Sequence, residues 1–224
     1  MRSEVLYAPA FATARLTLSA GESVRAEAGA MVAMSSGLAM ETSTQGGVMK
    51  GLRRAVLGGE SFFMNTFTAQ REGAELYVAP PLPGDVVAWP LSGTLFVQSG
   101  SFLASSAGID VDTHWGGAKT FFSREGLIML RVSGHGDLLV ACYGAIEARD
   151  LAPGERFTVD TGHMVGWSES VQYTVRKVGN WKSTMLSGEG LVVDLTGPGR
   201  IYLQSRSPEA FLAWLIPRLP QRTS

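Results

Sequence analysis

The chain has 224 residues, enough for a core that needs neither disulfide nor metal to hold it. With 19 Lys and Arg against 20 Asp and Glu the formal net charge is −1, which leaves no bulk positive field for wrapping nucleic acid. Hydrophobic residues make up 45% and charged ones 17%, which excludes disorder, while 27 Gly and 10 Pro predict many tight turns.

In chain order, residues 1–7 lack the apolar run of a secretion signal. No later stretch approaches the roughly 20 apolar residues of a spanning helix, so a soluble, cytoplasmic protein is expected. Residues 24–33 read as strand, glycine turn, strand, and residues 38–42 alternate apolar and polar with the period of a half-buried strand. Residues 48–57 read as a short amphipathic helix, with Val48, Met49, Leu52, Ala55 and Val56 on one side and Lys50, Arg53 and Arg54 on the other. That cationic face is either a solvated surface or a contact for an anionic partner or membrane.

Strands are expected again at 73–78, 95–104, 109–113, 136–140, 157–166, 171–174 and 199–203, with Pro-Gly turns at 82–85 and 152–155. The single cysteine, Cys142, excludes an internal disulfide, fits a reducing compartment and reads as a small buried hydrophobe. Last, Ser207 as N-cap and Pro208 in the first turn open a helix over 207–217 that carries Phe211, Leu212, Trp214 and Leu215, stops at Pro217 and docks on the sheet body.

Self-similarity organises these elements. The segments 24–33, 95–104 and 157–166 share an apolar lead, a small residue, a glycine and an apolar pair. Their anchors Gly29, Gly100 and Gly162 lie 71 and 62 residues apart. A second block begins at Glu60, Glu125 and Glu189, spaced by 65 and 64 residues, and each copy leads on to a glycine turn and an alternating strand. The chain is therefore expected to be one domain of three tandem repeats, 4–80, 81–144 and 145–206, followed by the helix. The glycines are assigned to turns, and the three glutamates to locking turns by accepting backbone N–H bonds.

Several strings resemble signature segments of a bacterial family of uncharacterised proteins related to the altered-inheritance-of-mitochondria proteins of mitochondrial biogenesis. They are Glu22-Ser23-Val24-Arg25-Ala26-Glu27-Ala28-Gly29-Ala30-Met31-Val32-Ala33-Met34, Gly58-Gly59-Glu60-Ser61-Phe62-Phe63-Met64-Asn65, Ala79-Pro80-Pro81-Leu82-Pro83-Gly84-Asp85, Val159-Asp160-Thr161-Gly162-His163 and Tyr202-Leu203-Gln204-Ser205-Arg206-Ser207. The resemblance implies an all-β fold of short β-sandwich units like the trp RNA-binding attenuation protein, three to a chain. It also implies assembly into rings: three chains would close a nine-unit homotrimer and bury the sheet edges.

Chemistry is weakly signalled. Asp160-Thr161-Gly162 looks like an aspartic-protease loop, but no second such string supplies the partner carboxylate. His114, His135 and His163 form no His-x-His pair, and Asp110 with Asp112 read as a solvated strand face. The segment before Lys119-Thr120 lacks phosphate-loop spacing, Gly197-Pro198-Gly199 lacks the rest of a dinucleotide fingerprint, and no Gly-x-Ser-x-Gly elbow is present. No catalytic residue, metal or cofactor is expected, and nucleic acid is a poor fit without a basic stripe interleaved with aromatics. The sequence reads as a non-enzymatic oligomeric β scaffold for a protein or small-molecule partner. The alternatives are a ligand or nucleic-acid module using clefts between repeats, and membrane association through helix 48–57.

Overall fold

The computed structural model describes residues 1–43, 64–112, 128–178 and 191–220. Alternation of apolar and polar side chains turns into strand through burial. In Thr13–Leu18, Ala14, Leu16 and Leu18 go inside while Thr13, Arg15 and Thr17 face outward. The strands are β1 Arg2–Leu6, β2 Thr13–Leu18, β3 Ser23–Glu27, β4 Met31–Met34, β5 Leu38–Ser43, β6 Met64–Ala69, β7 Ala74–Val78, β8 Val86–Gln98, β9 Phe102–Ser106 and β10 Ile109–Asp112. They continue as β11 Met129–Ala141, β12 Ile146–Leu151, β13 Arg156–Asp160, β14 Met164–Ser168, β15 Gln172–Lys177, β16 Leu191–Thr196 and β17 Gly199–Gln204, before the helix α1 Pro208–Leu215. The described fold is all-β apart from that helix and short 3-10 turns.

Pairing within these sheets is antiparallel. β7 lies between β2 and β4, and β6 between β3 and β5. β11 serves both roles along its length: its last residues pair with the start of β8 and with β9, its first with the end of β8 and with β10. β17 lies between β12 and β14, and β16 between β13 and β15. Two further ladders join these groups, β3 to β9 and β8 to β14. Bulges interrupt β4 between Met31 and Ala33, β9 between Phe102 and Ala104, and β14 between Met164 and Gly166.

Three buried clusters fill the sheets, and they interlock. The first gathers Leu16, Phe67 and Leu76 but also takes Leu103 and Ala104 from β9. The second holds Leu95, Val97, Leu130 and Val140 and takes Val165 from β14. The third is built on Met164, Trp167, Val193, Leu195 and Ile201. In α1, Ser207 Oγ accepts the Ala210 N–H at 3.2 Å and Phe211 meets Tyr143 edge-on at 5.9 Å. The helix touches the body along one side only, so no helix residue is buried and Leu212 and Trp214 stay exposed.

The packing predicts where substitutions matter. Trp167, fully buried with Phe96 and Tyr173 at ring distances of 6.0 and 5.0 Å, should cost about 3–5 kcal/mol as Trp167→Ala in denaturant unfolding. Leu212→Ala on the open face of α1 should stay within about 0.5 kcal/mol of the parent.

Acid should destabilise the C-terminal strands. The guanidinium of Arg200 holds Asp150 below the usual carboxylate range, the Ala152 N–H and then Arg149 do so for Glu155, and Arg176 with Thr158 do so for Asp194. A folded-state pKa below the unfolded one gives stability that is complete above about pH 4 and is lost as pH falls through the folded values. Thermal midpoints measured between neutral pH and pH 2 should therefore drop more steeply for the parent than for the triple variant D150N/E155Q/D194N.

Candidate functional site

Among the described residues the inner strands are paired on both sides, while β1, β4, β5, β10, β12, β13 and β15 have a partner on one side only. β3 pairs with β6 and β9, and the end of β8 with β11 and β14. Among the described residues β13 pairs with β16 alone, and β4 with β7 alone. The turn into β4 needs its glycine: Gly29 has φ +91°, and Ala30 N donates to Glu27 O at 3.1 Å. The strand then presents Met31, Val32, Ala33 and Met34, all exposed, with Val32 at 60%. This edge of four apolar residues carries no lysine or proline, and its shortness and its bulge are what limit pairing with another strand.

β13 borders a cavity of about 500 Å³ between β12, β13 and β17. Ile146, Phe157, Val159 and Leu203 supply its apolar lining, and Asp160 and His163 are among its polar groups. Those polar groups are engaged. Asp160 Oδ1 accepts the Gly162 N–H at 2.9 Å, His163 Nδ1 donates to Gln204 O at 2.8 Å, and Gln204 Nε2 donates to Gly162 O at 2.8 Å. The Asp160-Thr161-Gly162 string is thus a capped 3-10 turn.

The three turn glycines differ in what their positions require. Only Gly29 has a left-handed backbone. Gly162 is required by close approach, since a Cβ there would lie 2.5 Å from Ser207 Oγ, where α1 begins. At Gly100 a Cβ would meet only the tip of Gln98, at 3.2 Å.

Lys50, Arg53 and Arg54, with the helix expected at 48–57, lie outside the described residues, as do Glu60, Glu125, Glu189 and His114. Asp110 and Asp112 share the outward face of β10 between buried Ile109 and Val111. Cys142 is buried, its thiol pushed up to about 11 by desolvation, with Sγ 3.3 Å from Gly144 O. Among the described residues no three His, Cys, Asp or Glu side chains converge as metal ligands, and no helix is long and apolar enough to cross a membrane. Neither β4 nor the cavity was singled out from sequence. The signal available was a comparison of Met31-Val32-Ala33-Met34 with Phe102-Leu103-Ala104-Ser105 and Met164-Val165-Gly166-Trp167, asking which strand covers each.

Comparison with known proteins sets this geometry in a family. An uncharacterised protein of Streptococcus pyogenes serotype M6 is 30% identical over 219 residues, covering 94% of this chain and 88% of that protein. A crystal structure of a Streptococcus pyogenes protein superposes with a TM-score of 0.81 at 28% identity, covering 97% of this chain and 99% of that one. The family described as Mitochondrial biogenesis AIM24 matches residues 3–206, from the first strand to just past the last. The chain belongs to the mitochondrial biogenesis AIM24 family.

Proposed function

We propose that the protein is a non-enzymatic β scaffold in which each chain carries three copies of a six-stranded unit like that of the trp RNA-binding attenuation protein. Three chains join head to tail in a closed ring that binds or organises a partner. The observation that carries this reading is that, among the described residues, β4 and β13 lack the joint that β9 makes with β3 and β14 makes with β8. The unit is supported by the pairing scheme. β2–β7, β8–β11 and β12–β17 correspond, as do β4–β7, β9–β11 and β14–β17 with their bulges, and β8 and β11 each run two unit strands together.

At the first joint β9 pairs with β3, and at the second β14 pairs with β8. The next member of the series is β4 of another copy on β13. A joint of this kind is heterologous, so it ends either in a filament or in a closed ring, and closure is what leaves no β4 or β13 without its joint. Three units per chain and nine per ring follow from the family resemblance. The non-enzymatic reading rests on Asp160 being spent on a turn and Cys142 being buried with a raised thiol pKa. A free cysteine also suits the cytoplasm.

Native mass spectrometry of the protein purified from its own host tests the reading. The expected spectrum is a trimer with no added mass. A single chain at micromolar concentration would overturn the ring, and a bound small molecule or oligonucleotide would replace the scaffold with a binding module.

A further inference from the structure

We propose that Val32 of one copy plugs the cavity beside β13 of the neighbouring copy, so that the partner fitted by this surface is a second copy of this chain. The inference rests on the ring reading and specifies how its joint is made.

The plug is defined by the bulges. In β9 and β14 the extra residue of the bulge is Leu103 and Val165. Each is buried, at 1% and 0% exposure, in the cluster of the preceding group of strands rather than in its own. The extra residue of the β4 bulge is Val32, and it is 60% exposed. The same backbone device therefore presents three apolar knobs, two of them seated and one bare.

The socket is defined by the strands that receive them. Val165 shares its cluster with Leu95 and Val97 of β8 and Val140 of β11. Leu103 shares its cluster with Val24 and Ala26 of β3 and Val78 of β7. Val78, Val140 and Leu203 are equivalent, because each lies opposite the first residue of its bulged strand, Met31, Phe102 and Met164. The joint registers make Val24 and Leu95 equivalent, and likewise Ala26 and Val97, and the aligned segments 24–33, 95–104 and 157–166 add Phe157 and Val159. The third socket thus consists of Phe157, Val159 and Leu203, which line the cavity.

Register follows from the same correspondence. Val24↔Ser106, Arg25↔Ser105 and Ala26↔Ala104 at one joint match Leu95↔Ser168, Phe96↔Trp167 and Val97↔Gly166 at the other. Carried to the open edges, this gives Phe157↔Ser35, Thr158↔Met34 and Val159↔Ala33 between copies. A valine fills only part of about 500 Å³, and by the same correspondence Met31 and Met34 stay with their own copy, as Phe102, Met164 and Trp167 stay in the clusters of their own strands.

Cross-linking of the full chain in a Cys142→Ala background tests this. Two cysteine pairs are introduced, Ala33→Cys with Val159→Cys and Met34→Cys with Thr158→Cys. Neighbouring positions alternate between the two antiparallel pair types, so the two designs sample both Cα spacings, about 4.5 and 5.5 Å, within disulfide reach. At least one should form interchain disulfides on oxidation, while the out-of-register pair Ala33→Cys with Arg156→Cys should not. Val32→Asp, which places a carboxylate in the socket, should weaken association by at least about a hundredfold, with circular dichroism unchanged and Val32→Leu still assembled. An assembled parent with no in-register cross-link, or an assembled Val32→Asp, overturns the plug while leaving the ring intact. A parent that is a single chain overturns the ring itself, and a small molecule found in the cavity assigns it to a ligand and overturns the plug.

Discussion

A sheet ends in a row of backbone N–H and C=O groups that water or another strand must satisfy, and the organisation of this chain follows from how it deals with those rows. β3 and the end of β8, which would each be an edge, are covered by β9 and β14. The covering strands bring side chains with them, so backbone pairing and apolar burial occur at the same joint. Leu103 enters the cluster of Leu16 and Phe67, and Val165 that of Leu130 and Val132. Neither of those clusters is complete without the stretch of chain that follows it.

This interlocking accounts for the few polar groups inside. The described residues that pack between sheets are nearly all aliphatic or aromatic, and the buried polar ones are serines and Gln204. Gln204 shows why such a group is tolerated: it accepts the Tyr143 N–H at 2.9 Å and donates to Gly162 O at 2.8 Å, tying the end of β17 to two turns. The charged pairs lie at the surface, where Arg200 grips Asp150 through two bonds of 2.7 Å and contributes more to local order than to the total.

Much of the fold was legible in the sequence because period-2 alternation reports burial on one face of a strand. Residues 38–42 and 109–113 fall on β5 and β10, and the three aligned segments fall on β3–β4, the end of β8 with β9, and β13–β14. The C-terminal helix was legible from Ser207 and Pro208. The site was not. Met31-Val32-Ala33-Met34 reads like any inner strand, and only its pairing in the fold shows β7 as its one partner among the described residues. The reason for Gly162 was hidden as well, since the approach of Ser207 Oγ comes from 45 residues further along the chain.

On the ring reading, the joint between chains differs in kind from the joints within one. Inside the chain the covering strands carry Phe102 and Leu103, or Met164, Val165 and Trp167, all held in fixed, fully buried positions. The open strand carries two methionines around a valine, side chains with more torsional freedom and a softer fit. Covalent linkage lets an internal joint form without the translational and rotational cost that a second chain must meet. A joint made from adaptable side chains and three backbone pairs, as in the joints within the chain, suits an assembly whose ends must find one another after each chain has folded. Rigid packing is then concentrated where the polypeptide already holds the parts together, and adaptable packing where it does not.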